Sequence, residues 1–118
     1  MSHQPLPTYL RSHRRKWALT QRDLAVLLGD VSASTVSKYE TLARTPSPEA
    51  MFALEVVFKV PASALFPALS RAARRAVLRN AAALEDRLAE RHDARSVRVR
   101  LLLTDILTHS PQNHEPHS

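Results

Sequence analysis

Apolar residues recur along this chain at helical spacing, broken by short polar segments where helices are expected to start and stop. Pro7 opens a first helix expected to run through about Trp17. Tyr9, Leu10, His13 and Trp17 form its mostly apolar face, and Arg11, Arg14, Arg15 and Lys16 supply much of the remainder. Thr20 is the expected N-cap of a second helix, with Asp23 three residues on, where a negative charge suits the helix N-terminus. That helix carries Leu24, Ala25, Leu27 and Leu28 and stops at Gly29, where a left-handed cap is wanted. Ser32 caps a third helix. Val36 and Tyr39 turn toward the core and Ser34, Ser37 and Lys38 project outward.

The stretch Thr41 to Pro48 reads as a loop, and Ser47 caps a fourth helix with Pro48 and Glu49 in its first turn. Met51, Leu54, Glu55 and Phe58 follow helical spacing, while Phe52, Val56 and Val57 widen the apolar face up to the stop at Pro61. Ala62 to Leu69 makes a short fifth helix, interrupted near Pro67. Leu69 to about Arg91 is rich in Ala, Arg and Leu, with a shallow stripe of Leu69, Ala73, Ala76, Asn80, Leu84 and Leu88. From Ser96 to His109 two patterns compete. Val97 to Leu101 alternates like a strand, whereas Leu101, Leu102, Leu103, Ile106 and Leu107 fit a helix. Helix is favoured because the chain offers no clear partner strand; a strand swapped across a dimer is the alternative.

The expected fold is therefore all-α. A flexible arm covers residues 1–8, a helical bundle 9–69, a helical tail 70–109 and a disordered polar end 110–118.

Charge narrows the partners. The 118 residues carry 17 Lys and Arg against 11 Asp and Glu, a formal charge of +6. That fits nucleic acid or an anionic membrane surface without choosing between them. No apolar run is long enough to span a bilayer, and the first residues lack the apolar stretch of a secretory signal. Cysteine is absent, which removes disulfides, thiolate metal sites and thiol nucleophiles and fits the cytosol. A single glycine argues against a phosphate-cradling loop. His3, His13, His92, His109, His114 and His117 form no convincing catalytic or metal-binding arrangement. No enzyme activity, metal or other cofactor is expected.

Two short helices joined by a tight turn, Thr20 to Glu40, in a basic chain point to duplex DNA. Ala33, Ser34, Ser37 and Lys38 would face the major groove, and Gln21 would bring its amide and a helix N-terminus to a phosphate. A small bundle with solvated serines is the plainer reading of the same periodicity.

At these residues the chain resembles the Cro/C1-type (XRE-type) family of helix-turn-helix regulators, over about Tyr9 to Leu69. The resemblance rests on Arg14, Thr20-Gln21, Leu24-Ala25, Gly29, Ser32 through Glu40, Arg44-Thr45-Pro46-Ser47 and the run Leu54 to Phe66. It implies a five-helix bundle; the helical tail after it, outside the resemblance, is read as an additional C-terminal dimerisation region. It also implies that Gln21 and Arg44 meet phosphates, that Ala33, Ser34, Ser37 and Lys38 approach bases, and that Arg14 pairs with Glu40; Arg22, next to Gln21, is a further candidate phosphate contact. Three positions depart from the family pattern. Asp30 lengthens the interhelix turn, and Ala18 and Leu42 stand where glycine is common.

The expected function is a sequence-specific regulator of transcription, a repressor acting as a homodimer on a palindromic operator. Leu84, Leu88, Leu101, Leu102, Leu103 and Ile106 are the candidate dimer contacts; their plainer role is packing within one chain. Arg71, Arg74, Arg75 and Arg79 either touch flanking DNA or solubilise their helix. The competing function is an antitoxin or adaptor whose tail binds a partner protein while the helix-turn-helix serves autoregulation. RNA binding is disfavoured by few, scattered aromatic residues.

Overall fold

A computed structural model describes residues 6–109. Expectations for the rest of the N-terminal arm and for 110–118 lie outside the described residues. Seven helices follow in order: α1 (Leu10–Lys16), α2 (Gln21–Leu28), α3 (Ala33–Thr41), α4 (Pro48–Phe58), α5 (Ala62–Leu65), α6 (Pro67–Leu88) and α7 (Ala94–Thr108). No strand occurs among the described residues. The all-α class expected from periodicity is the one observed, and Ser96 to Thr108 lies in helix, with His109 as its C-cap. The chain divides into two compact units at the Ser70–Arg71 bond.

The first unit holds α1 to α5 and the opening turn of α6. Its core is built from Leu10, Leu24, Ala25, Val36, Tyr39, Ala50, Leu54, Phe58, Leu65 and Phe66, all buried. Leu28, Val31, Leu42, Met51 and Leu69 pack partly buried around them. Pro67 starts α6 rather than interrupting a fifth helix, because its ring is tolerated in a first turn and not inside a helix.

Local chemistry sets the helix ends. Thr20 and Asp23 form a reciprocal capping box: Asp23 N–H donates to Thr20 Oγ1 at 2.9 Å and Thr20 N–H to an Asp23 carboxylate oxygen at 2.9 Å. The Thr20 backbone N–H, with its hydroxyl, holds the Asp23 carboxyl below its ordinary value. Ser32 accepts from Thr35 N–H and Ser47 from Ala50 N–H, each at 3.1 Å. α1 begins later than expected, with Tyr9 as an exposed N-cap. Trp17 is exposed beyond the end of that helix and does not join the core. Of the arm, Thr8 is buried and its hydroxyl donates to the Glu40 carbonyl at 2.8 Å. Tyr9 N–H donates to the Leu65 carbonyl at 2.8 Å.

The turn after α2 differs from a left-handed cap. Gly29 has φ +99 and ψ −121, outside the left-handed helical well. Val31 N–H closes a three-residue turn onto the Gly29 carbonyl at 2.6 Å, with Asp30 at its centre. The extra residue is absorbed by a tight local turn. Leu42 does not lengthen α3. It adopts the left-handed conformation (φ +61) and caps the helix directly after Thr41. Lys59 (φ +57) ends α4 in the same way, and Ala18, one residue past the C-cap of α1, also has positive φ (+59).

The second unit is two helices. Ala81, Leu88 and Leu103 are its buried apolar residues, with Leu84, Val99 and Ile106 partly buried against them. Asp93 caps α7, accepting from Ser96 N–H at 3.0 Å. Arg100 reaches back to Glu85 across the pair at 3.2 Å.

Candidate nucleic-acid interface

A major-groove reader needs a helix that is fixed from behind and polar in front. α3 meets both needs. Val36, Tyr39 and Glu40 are its buried residues. Ser34 and Lys38 are exposed, and Ala33 and Ser37 are half-buried. The helical repeat places Ser34, Ser37 and Lys38 on the side opposite Val36, with Ala33 on the flank nearer Glu40. The four sequence-predicted base-facing residues therefore occupy the first two turns of one helix.

Thr41 falls on the same outward stripe and was not singled out by sequence. Its spacing from Ser34 and Ser37 carried the signal. Its hydroxyl is engaged locally, donating to the Lys38 carbonyl at 3.3 Å and accepting from Ala43 N–H at 3.3 Å. Arg44 and Arg22 are exposed. Arg44 N–H donates to the Lys38 carbonyl at 3.3 Å, so the loop carrying its side chain folds back on the end of α3.

Behind α3 sits one carboxylate with three side-chain donors. Glu40 Oε2 accepts from Arg14 Nε at 2.6 Å, and Oε1 accepts from Arg14 Nη2 at 3.3 Å, Gln21 Nε2 at 3.0 Å and Arg11 Nε at 3.2 Å. Arg14 also donates through Nη1 to the Leu19 carbonyl at 2.8 Å. Burial pushes the Glu40 carboxyl up, but the hydrogen bonds from Arg14, Gln21 and Arg11 and the Arg14 charge outweigh it and leave it lowered. The pair joins α1 to α3, and the fork of the guanidinium fixes angle as well as distance.

Two members of this cluster change the sequence picture. Gln21 was expected at a phosphate; here its amide nitrogen is tied to Glu40, leaving the backbone N–H groups at the start of α2 and the rest of the amide for an outside partner. Arg11 was not singled out. Its Glu40 contact depends on a residue 29 positions away, which local periodicity does not reveal. Arg11, Arg14, Arg15, Thr20 and Gln21 line an open cleft of about 560 Å³ at the α1–α2 junction. Arg15 has no carboxylate partner among the described residues, and two guanidinium groups share the Glu40 carboxylate. The cleft is thus cationic beside a helix N-terminus, an arrangement suited to an anion such as a phosphate.

The candidate tail contacts separate into two groups. Leu88 and Leu103 are buried between α6 and α7, with Leu84 and Ile106 partly buried beside them. Leu101 and Leu102 are 68% and 60% exposed. Arg71, Arg75 and Arg79 are exposed and Arg74 is half-buried. Among the described residues, no group of three His, Cys, Asp or Glu side chains is placed to hold a metal ion. No described helix is long and apolar enough to cross a membrane.

Residues 10–65 match the family model described as Helix-turn-helix. That span runs from the start of α1 to the end of α5. No curated protein and no solved structure matches the chain.

Proposed function

Residues 10–65 are a helix-turn-helix domain of the Cro/C1 (XRE) type, the fold of DNA-binding transcription regulators, and from that premise we propose that the chain is a sequence-specific repressor binding a palindromic operator as a homodimer. The observation that carries this reading is the pairing of an outward Ser34–Ser37–Lys38 stripe with a buried carboxylate cluster behind the same helix. The stripe supplies two hydroxyls and an ammonium to base edges and phosphates. Ala33 supplies a methyl group against a thymine methyl. Arg22, Arg44 and the cleft around Arg11 and Arg15 supply sequence-independent phosphate contacts on the two sides of the reader. Gln21 acts from within, holding Glu40 while its helix N-terminus meets the backbone.

The base-facing side chains are small, so phosphate contacts and DNA shape carry a large share of the affinity. Selection of bound sequences from a random duplex pool tests the reading. A two-fold symmetric motif is expected from the wild type, and changing Ser34, Ser37 and Lys38 together to Ala should abolish its enrichment. Salt-sensitive binding with no enriched motif would replace this function with nonspecific DNA coating.

A second reading, an antitoxin or adaptor with a protein partner, is favoured by a mostly apolar groove of about 380 Å³ in the second unit, where Ala73, Val77, Leu78 and Ile106 are flanked by Arg74, Asp105 and His109. It predicts a stoichiometric protein complex whose formation changes operator affinity. Nanomolar operator binding by the homodimer alone, unaffected by any co-expressed neighbour, would count against it.

A further inference from the structure

We infer that the outward face of α7 pairs antiparallel with α7 of a second copy, around Leu101 and Leu102, with Arg98 of each chain against Asp105 of the other. The inference deepens the homodimer reading above and rests on it.

The second unit is short of core. Its buried apolar residues are Ala81, Leu88 and Leu103, against the ten that fill the first unit. A helix pair with so little buried apolar surface is marginal in water, and association is a common remedy. The exposed apolar residues of α7 show where more could be buried. Ser96 and Leu103 are buried and Val99, Arg100 and Ile106 are partly buried, which defines the inward side. Arg98, Leu101, Leu102 and Asp105 are all exposed and follow the i, i+3, i+4, i+7 spacing of a single helical stripe. The stripe lies on the side of α7 opposite the buried Leu103, and Asp105 at one end of it also borders the groove lined by Ala73, Arg74, Val77 and Leu78 of α6.

Charge order selects the occupant. Reversing the stripe about its middle exchanges Leu101 with Leu102 and Arg98 with Asp105. An antiparallel second copy therefore sets leucine on leucine at the centre and opposite charges at both ends, the self-complementarity a two-fold interface requires. A parallel copy would oppose Arg98 to Arg98 and Asp105 to Asp105. Arg98 has no carboxylate within 4.0 Å among the described residues, and Asp105 has only the exposed His109 imidazole of its own helix, at 2.9 Å. Both ends are exposed to solvent. Val97, also exposed, extends the apolar surface at one edge. Phe52 and Val56 of α4 are exposed too, but they decorate a unit whose core is already filled.

A one-helix contact of this kind is smaller than a standard interface of roughly 800 Å² per partner, so a dimer in the micromolar range is expected for the free protein. Sedimentation equilibrium of the full chain, without DNA, measures it. Leu101→Lys should raise the dimer dissociation constant by on the order of 100-fold, since a two-fold axis counts the lost contact twice. R98D and D105R should each weaken the dimer by about tenfold, and the double reversal should restore it. Mixed in equal amounts, the two single variants should form a heterodimer tighter than either homodimer, because each supplies the charge that the other lacks. Both reversals suit the helix dipole, so an unchanged far-ultraviolet circular dichroism spectrum is expected for each variant. A wild type that stays monomeric at millimolar concentration overturns both this pairing and the dimer reading. A dimer whose constant ignores Leu101→Lys and both reversals overturns the pairing while leaving the dimer reading intact.

Discussion

Glu40→Ala is the most informative single change in the reading head. The substitution removes the acceptor of Arg14, Gln21 and Arg11 in one step. Arg11 is 48% exposed, so its share of the loss is under about 1 kcal/mol after solvent screening. The Arg14 side chain is only 9% exposed and would be left as a buried cation. Breaking a buried pair from one side costs about 3–5 kcal/mol. The surviving Arg14 bond to the Leu19 carbonyl at 2.8 Å places the expected loss near the lower end, about 3 kcal/mol. A unit of this size is stabilised by only about 3–9 kcal/mol at ordinary per-residue values, so the variant should sit close to its unfolding threshold at 25 °C. Urea titration followed by circular dichroism reads the effect. The companion experiment replaces both partners, Arg14→Met with Glu40→Leu. With no stranded charge, the double variant should recover to within about 1 kcal/mol of wild type. Its operator affinity should stay reduced, because Gln21 and Arg11 lose the carboxylate that sets the angle between α1, α2 and α3. A double variant that is as unstable as the two single losses summed would refute the reasoning about a stranded charge. A Glu40→Ala protein unchanged in both stability and binding would refute the orienting role altogether.

Other expectations follow from the same geometry. The Glu40 carboxyl is lowered below its usual 4.5 in the folded protein, so its contribution is present above that value and is lost as pH falls through the folded value. Glu40→Gln should flatten the dependence of unfolding free energy on pH below about 5; an unaltered slope would assign acid sensitivity to other carboxylates. Ala18 is exposed at φ +59, where a Cβ costs about 1–2 kcal/mol and glycine loses about 0.4–1 kcal/mol more entropy on folding. Ala18→Gly should thus stabilise by about 0.5–1 kcal/mol in urea titration, and a destabilised variant would mean the left-handed strain is absent. If Arg71, Arg75 and Arg79 reach flanking DNA, changing all three to Gln should lower the slope of log affinity against log salt by about 3. A slope unchanged within error would leave them as solubilising charges.

The sequence disclosed helices better than it disclosed partners. Caps at Thr20, Ser32 and Ser47 were legible because a side-chain oxygen three residues before a free N–H is a local signal. The outward placement of Ser34, Ser37 and Lys38 followed from period alone. Contacts spanning the chain left no such trace. Arg11 on Glu40, Thr8 on the Glu40 carbonyl and Tyr9 on the Leu65 carbonyl depend on tertiary proximity. Gln21 shows the limit most clearly. Its position at a helix N-terminus argued for a phosphate, and only the folded arrangement revealed a carboxylate within 3.0 Å. Leu42 stops α3 by adopting a conformation that its side chain disfavours, which propensity could not foretell. In the tail, an apolar stripe could not divide Leu103, inside, from Leu101 and Leu102, outside, until α6 took one side of α7.

The turn at Gly29 has a stereochemical consequence. A Cβ built there meets nothing within 4 Å, so space does not demand glycine. Its φ of +99 and ψ of −121 are the mirror image of an ordinary extended residue. What the position excludes is one enantiomer. Every natural substitution is strained for its handedness, whereas D-alanine, introduced by chemical ligation, would occupy the site in its own preferred basin and restrict the unfolded chain as well.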